Sequence, residues 1–223
     1  MSQLLRLYER NKYFRALLQK LGFMGEGQTE IYSERFIEYP WAFRNLDQKI
    51  TRILDVGSTG SYFPLALACL GHEVYVIDIR VYEYRSLHPN LKDIIGDIRH
   101  TEFPDNFFDA VTAISTIEHI GLGRYGDPLD KEGDKKAIKE IKRILKPKGK
   151  LLLSVPYGKS AITKLNRVYD ANQLQSILKG FKIEREDYFF KKNKFWHSVS
   201  KEYLANIESP TITKGIACIK AVK

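Results

Sequence analysis

Two hydrophobic rhythms divide the chain. Residues 3–21 place Leu4, Leu7, Tyr8, Phe14, Leu17, Leu18 and Leu21 at helical spacing, with Arg and Lys between them. That is the pattern of an amphipathic helix. Gly22 ends it, a GFMGEG stretch follows, and SERFIEYPWAFRNL reads as a short helical or irregular segment broken by Pro40. From residue 51 the pattern changes. RILDVG, EVYVIDI, LKDIIGDI, FDAVTAIST and KLLLSVP are short apolar runs bounded by turn residues, and they read as strands. SYFPLALACLGH reads as a helix with Ser61 at its N-cap, Pro64 in its first turn and Gly71 at its end. DKKAIKEIKRILKPKG turns Ala137, Ile138, Ile141, Ile144 and Leu145 inward and is stopped by Pro147 and Gly149. Strands alternating with helices predict a doubly wound parallel sheet.

The last third departs from that alternation. YDANQLQSILKGF reads as a helix, and KIEREDYFFKK and GIACIKAV as two further strands, which makes seven. The residues between those two, roughly 192–213, hold no clean long helix. An antiparallel hairpin is therefore expected in place of a right-handed crossover. The resulting domain division is a helical cover over 1–50 and an α/β unit over 51–223.

Composition adds limits. The 223 residues are 43% hydrophobic and 28% charged, ordinary for a globular protein. No apolar run approaches a membrane span of ~18 residues. The N-terminus lacks the unbroken apolar core and small-residue cleavage site of a signal peptide. Cys69 and Cys218 form no disulfide framework and both read as small core residues. A cytoplasmic setting is the expectation. The formal charge of +9 is uneven: residues 151–223 hold 13 basic and 6 acidic side chains, while 51–150 hold 15 of each. A basic C-terminal third suits either a solvated surface or an anionic partner.

The candidate chemistry begins at LDVGSTGSYF. Asp55-x-Gly57-x-x-Gly60 falls at the carboxyl end of the first strand, where open α/β sheets bind ligands. Asp78 ends the second strand, 21 residues after Gly57, the spacing of a carboxylate that accepts from a ribose diol. A dinucleotide would place a pyrophosphate beside Asp55, and the loop lacks the G-x-G-x-x-G of such sites. Asp97 follows the third strand and Glu118 the fourth, so four acids gather on one edge. That rim suits a ligand with positive charge and many hydrogen-bond donors.

At these residues the sequence resembles the class I S-adenosylmethionine-dependent methyltransferases, in their small-molecule, type 11-like branch. The resemblance runs from Arg52 to about Val222 and is carried by ILDVGSTG, VYVIDIR, IIGDIRHTEFPDNFFDAVTAISTIEHI and IKRILKPKGKLLLSVP. EHIGLGRYGDPLDKEGD is also similar to a subgroup of methyltransferases associated with glycan or cell-surface synthesis. The resemblance implies a Rossmann-like, mostly parallel sheet closed by an antiparallel hairpin. It implies that Gly57, Gly60 and the backbone of Ser58 and Thr59 border the methionine part of S-adenosylmethionine. Asp55 would brace the loop and help neutralise the ammonium, and Ile114 and Ser115 would offer it carbonyls. Asp78 would hold the ribose diol and Ile79 pack on the adenine. Asp97 and the Ile98 amide would read the adenine edge. Thr59 and Ser61 stand where the family usually has further glycines.

Methyl transfer from a sulfonium needs alignment and desolvation more than strong acid–base chemistry. His119 is the candidate base for an oxygen acceptor, with Glu118 beside it to orient substrate. Arg124, Tyr125 and Asp127, on a loop of flexible composition, are candidate substrate contacts, as are Tyr157, Tyr39 and Trp41. Glu118, His119, Asp127 and Asp130 match no metal-ligand spacing, so no metal is expected. KKNKFWHSVSKEY reads as a lid or a basic docking surface. The expected partner is a small-molecule acceptor such as a sugar, glycan or lipid-linked intermediate. No RNA-binding appendage is recognisable, which argues against nucleic acid. The N-terminal helix suits three uses: covering the sheet, building a homodimer, or making a peripheral membrane contact through its Arg and Lys face. Two other readings stand beside this one: a nicotinamide-dependent oxidoreductase, and a non-catalytic scaffold that keeps the fold.

Overall fold

The computed structural model describes residues 33–47, 49, 51–81, 87–163, 166–193, 195–208 and 214–223. The amphipathic pattern of residues 3–21 lies outside them. The first described element is helix α1 (Arg35–Asn45). Then come β1 (Arg52–Val56), α2 (Phe63–Cys69), β2 (Glu73–Asp78), β3 (Leu91–Ile95), β4 (Phe108–Ile114) and a 3-10 turn over Ile117–His119. They are followed by α3 (Gly133–Ile144), β5 (Leu145–Pro156), a two-residue ribbon of β6 (Ala161–Ile162) and β7 (Arg167–Val168), and α4 (Ala171–Ile177). The chain ends in β8 (Lys182–Lys192), β9 (Phe195–Val199), α5 (Lys201–Ala205) and β10 (Gly215–Val222).

The main sheet has eight strands in the order β3-β2-β1-β4-β5-β10-β8-β9, one more than the sequence pattern predicts. The first five are mutually parallel. β10 runs antiparallel to both β5 and β8, and β8 is antiparallel to β9. The expected pairing of the last two predicted strands is therefore present, but they are not consecutive. The tight hairpin is β8–β9, turned at Asn193 with a φ of 47°. Asparagine is among the few non-glycine residues that enter this region readily. The segment read as a lid or basic surface is thus an edge strand and a short helix, after which β10 inserts between β5 and β8.

Side chains alternate across the sheet and build two cores. Leu54, Val56, Val111, Leu151 and Leu153 pack toward α3 and α4. Ile53, Val74, Val76, Ala110 and Leu152 pack toward α1 and α2, with Tyr39, Trp41 and Ala42 of α1 among them. Pro40 does not break α1. A proline inside a helix costs about 3 kcal/mol, and burial of the neighbouring Tyr39 and Trp41 offsets it at roughly 1.5–3 kcal/mol per large apolar side chain. Both aromatics are core residues rather than substrate contacts. The Tyr39 hydroxyl bonds the Ser61 hydroxyl at 2.7 Å, and Trp41 Nε1 donates to Asp187 at 2.7 Å.

Three further expectations shift. Ser61 is one residue before the N-cap of α2, although its Oγ still accepts from the Phe63 amide at 3.0 Å. The KPKG stretch does not follow the third helix as a stop but lies inside β5, where the pairing with β4 slips. Cys218 is buried, but Cys69 is exposed at the end of α2. Among the described residues, no helix is long and apolar enough to cross a membrane.

Candidate functional site

The carboxyl ends of β1, β2, β3 and β4 open onto a cavity of about 460 Å³, within the range of small-molecule sites. Gly57 shapes its floor. Its φ is 76°, and a Cβ there would clash with the Thr116 side chain, so any other residue is strained at this position and must displace Thr116. Thr116 is itself held, its hydroxyl donating to the carbonyls of Val56 and Ile114 at 3.0 and 3.1 Å. Thr59 lines the cavity, its amide donates to Asp78 Oδ2 at 3.2 Å, and its buried hydroxyl has no hydrogen-bond partner among the described residues. An orphaned hydroxyl in a polar cavity is a place where a ligand can supply the missing bond.

The two rim aspartates share one construction, Asp78-Ile79-Arg80 and Asp97-Ile98-Arg99. Asp78 Oδ1 accepts from the Arg80 amide at 3.0 Å and from Nε at 3.1 Å, and Oδ2 from Nη2 at 3.2 Å. Burial opposes ionisation, but the Arg80 fork and the Thr59 contact outweigh it and hold the carboxyl below the usual aspartate value. Asp97 is likewise lowered against partial burial by Arg99, whose Nη2 reaches Oδ2 at 2.6 Å. Arg80 also lies 4.3 Å over the Tyr125 ring, joining the β2 end to the loop after β4.

Of the residues singled out from the sequence, Gly57, Thr59, Asp78, Ile79, Asp97, Ile98, Ser115, Glu118, His119, Arg124, Tyr125 and Asp127 all line this cavity. Asp55, Ser58, Gly60, Ile114 and Tyr157 are not among its lining residues. Asp55 is buried in the sheet and accepts from Thr112, its register partner on β4. Tyr157 is 1% exposed and packs against Tyr188 at 4.9 Å, so it is a core residue and not a substrate contact. The Ile114 carbonyl already accepts from Arg35 Nη1 at 3.2 Å.

Arg35 and Glu38 are functional candidates that the sequence reading missed. Glu38 is fully buried. Its Oε1 accepts from the hydroxyls of Ser115 at 2.6 Å and Ser154 at 2.8 Å, and its Oε2 from Arg35 at 2.8 Å. Ser115 has a φ of 44°, a strained region for a non-glycine residue. The Glu38 bond and donation of its amide to Ser154 hold it there. The lone acid in the apolar run FIEYPWAF was the available signal for a buried carboxylate.

The loop Gly121–Gly133 is pinned, not loose. Asp127 accepts from the amides of Gly121 (2.6 Å), Gly123 and Tyr125 (both 3.4 Å), so its carboxylate braces the loop. Arg167, 5% exposed, donates to the carbonyls of Ile120 (2.6 Å) and Asp130 (3.3 Å) and faces Asp134 at 3.6 Å. The β6–β7 ribbon, unread in the sequence, is what delivers it. Arg167→Met is expected to lower stability by about 2–4 kcal/mol, since buried carbonyls and Asp134 lose their donor. Thermal unfolding at fixed pH reads this, and a variant melting with the parent would contradict the clamp.

Glu118 and His119 sit together at the cavity wall, with His119 Nε2 3.7 Å from Glu118 Oε1. Arg124 Nη1 lies 3.2 Å from His119 Nδ1, and the His119 ring meets Tyr125 edge-on at 5.7 Å. Glu118 is 2% exposed and its Oε2 has no hydrogen-bond partner among the described residues. Burial pushes its carboxyl up to about 8, and burial pushes Asp55 up to about 7 against the Thr112 bond. The folded state thus keeps protons that the unfolded chain has lost above about pH 4. Stability falls as pH rises through that window to the folded values. Glu118→Gln is expected to match the parent near pH 4 and exceed it by about 1–3 kcal/mol near pH 8.5. Denaturant titrations at both pH values measure the gap, and a pH-independent gap would contradict the assignment. Among the described residues, no three His, Cys, Asp or Glu side chains group to hold a metal.

The sheet order and the site at the carboxyl ends of its parallel strands define a Rossmann-like α/β fold, that of the S-adenosylmethionine-dependent methyltransferases. Such a methyltransferase from Methanosarcina mazei superposes with a TM-score of 0.60 at 17% identity, covering 83% of this chain and 97% of the other. The 1,6-didemethyltoxoflavin-N1-methyltransferase of Burkholderia thailandensis, solved with 1,6-didemethyltoxoflavin and S-adenosylhomocysteine, gives 0.59 at 13% identity, covering 98% and 84%. In sequence, the ubiquinone/menaquinone biosynthesis C-methyltransferase UbiE of Yersinia pestis is 28% identical over 148 residues, 61% of this chain and 54% of that protein. The chain thus spans about half the length of the curated relatives it matches. It belongs to the family described as "Caenorhabditis protein of unknown function, DUF268", whose sequence model matches residues 66–206.

Proposed function

We propose that this protein transfers a methyl group from S-adenosylmethionine to a small-molecule acceptor, a sugar, glycan or lipid-linked intermediate. The observation that carries the reading is the convergence of Gly57, Thr59, Asp78, Asp97 and Ser115 on one cavity that also holds Glu118 and His119. The donor set suits the cofactor. Asp78 and Asp97 would accept from its ribose and adenine amino group, Ile79 and Ile98 would supply apolar faces, and the buried Thr59 hydroxyl has no partner among the described residues. When bound, S-adenosylmethionine supplies the methyl group and a good sulfide leaving group.

The remaining chemistry belongs to the chain. A carboxylate has about four acceptor positions, and Arg80 and Thr59 use those of Asp78. A ribose diol would have to replace the Arg80 side chain on Asp78, leaving the two backbone amides. Glu118 holds a proton at neutral pH and orients the acceptor as a hydrogen-bond donor, while His119 receives the acceptor's proton. Tyr125, Arg124 and the pinned loop close the acceptor's side and exclude water. The test is transfer of label from methyl-labelled S-adenosylmethionine into fractionated extracts, with sugar and lipid-linked pools separated. Label entering one such pool supports the reading, and label only in nucleic acid or protein would overturn the acceptor class.

A further inference from the structure

We propose that Arg35 of α1 holds the carboxylate of the cofactor's amino-acid tail. The assignment rests on the S-adenosylmethionine reading of the cavity. That tail is a zwitterion and needs an anionic or carbonyl partner at one end and a cationic donor at the other. The Ile114 carbonyl, expected to receive the ammonium, is taken by Arg35 Nη1. A guanidinium there repels an ammonium and attracts a carboxylate.

The geometry leaves Arg35 able to do this. Its Nη1 is shared between Glu38 Oε2 and Ile114 O. Its Nε and Nη2 make no hydrogen bond with other described residues, and its side chain is 27% exposed while lining the cavity beside Gly57, Thr116 and Ser115. Two N–H groups of one guanidinium match a carboxylate as a fork. Glu38 fixes the fork from behind and is itself fixed by Ser115 and Ser154. The N-terminal cover is then part of the binding site, and a segment 79 residues from Ile114 in sequence completes it.

The test compares S-adenosylmethionine with its decarboxylated analogue by titration calorimetry, on the parent and on Arg35→Gln. The parent should prefer the carboxylate-bearing ligand by about 10- to 100-fold, the effect of a charge-assisted hydrogen-bonded pair. Arg35→Gln should lose that preference by weakening S-adenosylmethionine alone, with the analogue's affinity unchanged within about twofold. Equal weakening of both ligands, or a preference that survives, overturns the assignment. Should Arg35→Gln not fold, a parent that binds both ligands equally overturns it as well. A parent that binds neither ligand removes the cofactor reading itself, and Arg35 with it.

Discussion

Asp78→Ala is expected to weaken S-adenosylmethionine binding by at least about 100-fold, because hydrogen bonds to a charged group are worth about 1.5–3 kcal/mol each and the diol makes two. The carboxylate lies at the end of β2, 6% exposed, and is kept ionised by Arg80 and the Thr59 amide. Its pairing lets two effects be separated. Asp78→Ala also frees Arg80 and the Thr59 amide, which costs stability. Asp78→Asn keeps the shape and one acceptor, so it should bind better than the alanine variant yet worse than the parent. Calorimetric titration of both variants checks this order. An Asp78→Ala protein that is folded and binds S-adenosylmethionine as tightly as the parent would remove the ribose assignment.

Glu38→Ala should be the most destabilising single change near the site. It leaves Arg35 without its carboxylate and the Ser115 and Ser154 hydroxyls without their acceptor. Breaking a buried pair from one side costs about 3–5 kcal/mol, which for a chain of this size is a fall in Tm of roughly 6–20 °C. The double variant Arg35→Met with Glu38→Met should recover part of that loss, since replacing both charges removes the uncompensated one. It should not recover discrimination for the cofactor's carboxylate. Scanning calorimetry with the binding assay checks both halves. A Glu38→Ala variant that melts within a degree or two of the parent would show that the network does not hold α1 to the sheet.

Much of this was legible in the sequence, for local reasons. The five parallel strands announce themselves as apolar runs ending in turn residues, and the helices α2, α3 and α4 by their spacing, with Gly71 marking the end of α2. Asp78 and Asp97 follow from position alone, because a residue at a parallel strand's carboxyl end faces the ligand edge. What escaped depends on contacts distant in sequence. FWHSV reads as polar and aromatic, and only its place on the open edge of β8 makes it a strand. Tyr157 stands after a strand like a site residue, but it is buried against Tyr188 of β8. Arg35 and Glu38 look like a solvated pair three residues apart on a helix. Only the docking of α1 against β4 and β5 turns that pair inward. Asp127 and Arg167 show the converse, since a loop rich in glycine looked mobile until the buried groups that bind its backbone were in view.

The proposed activity requires that the cavity at the ends of β1 to β4 take S-adenosylmethionine. Titration calorimetry of the full chain with S-adenosylmethionine and, separately, with NAD tests it most directly. One-to-one binding of the first is expected, in the range of about 1 µM to 1 mM common for enzyme substrates, with no heat from NAD. Binding of NAD with no heat from S-adenosylmethionine would contradict it.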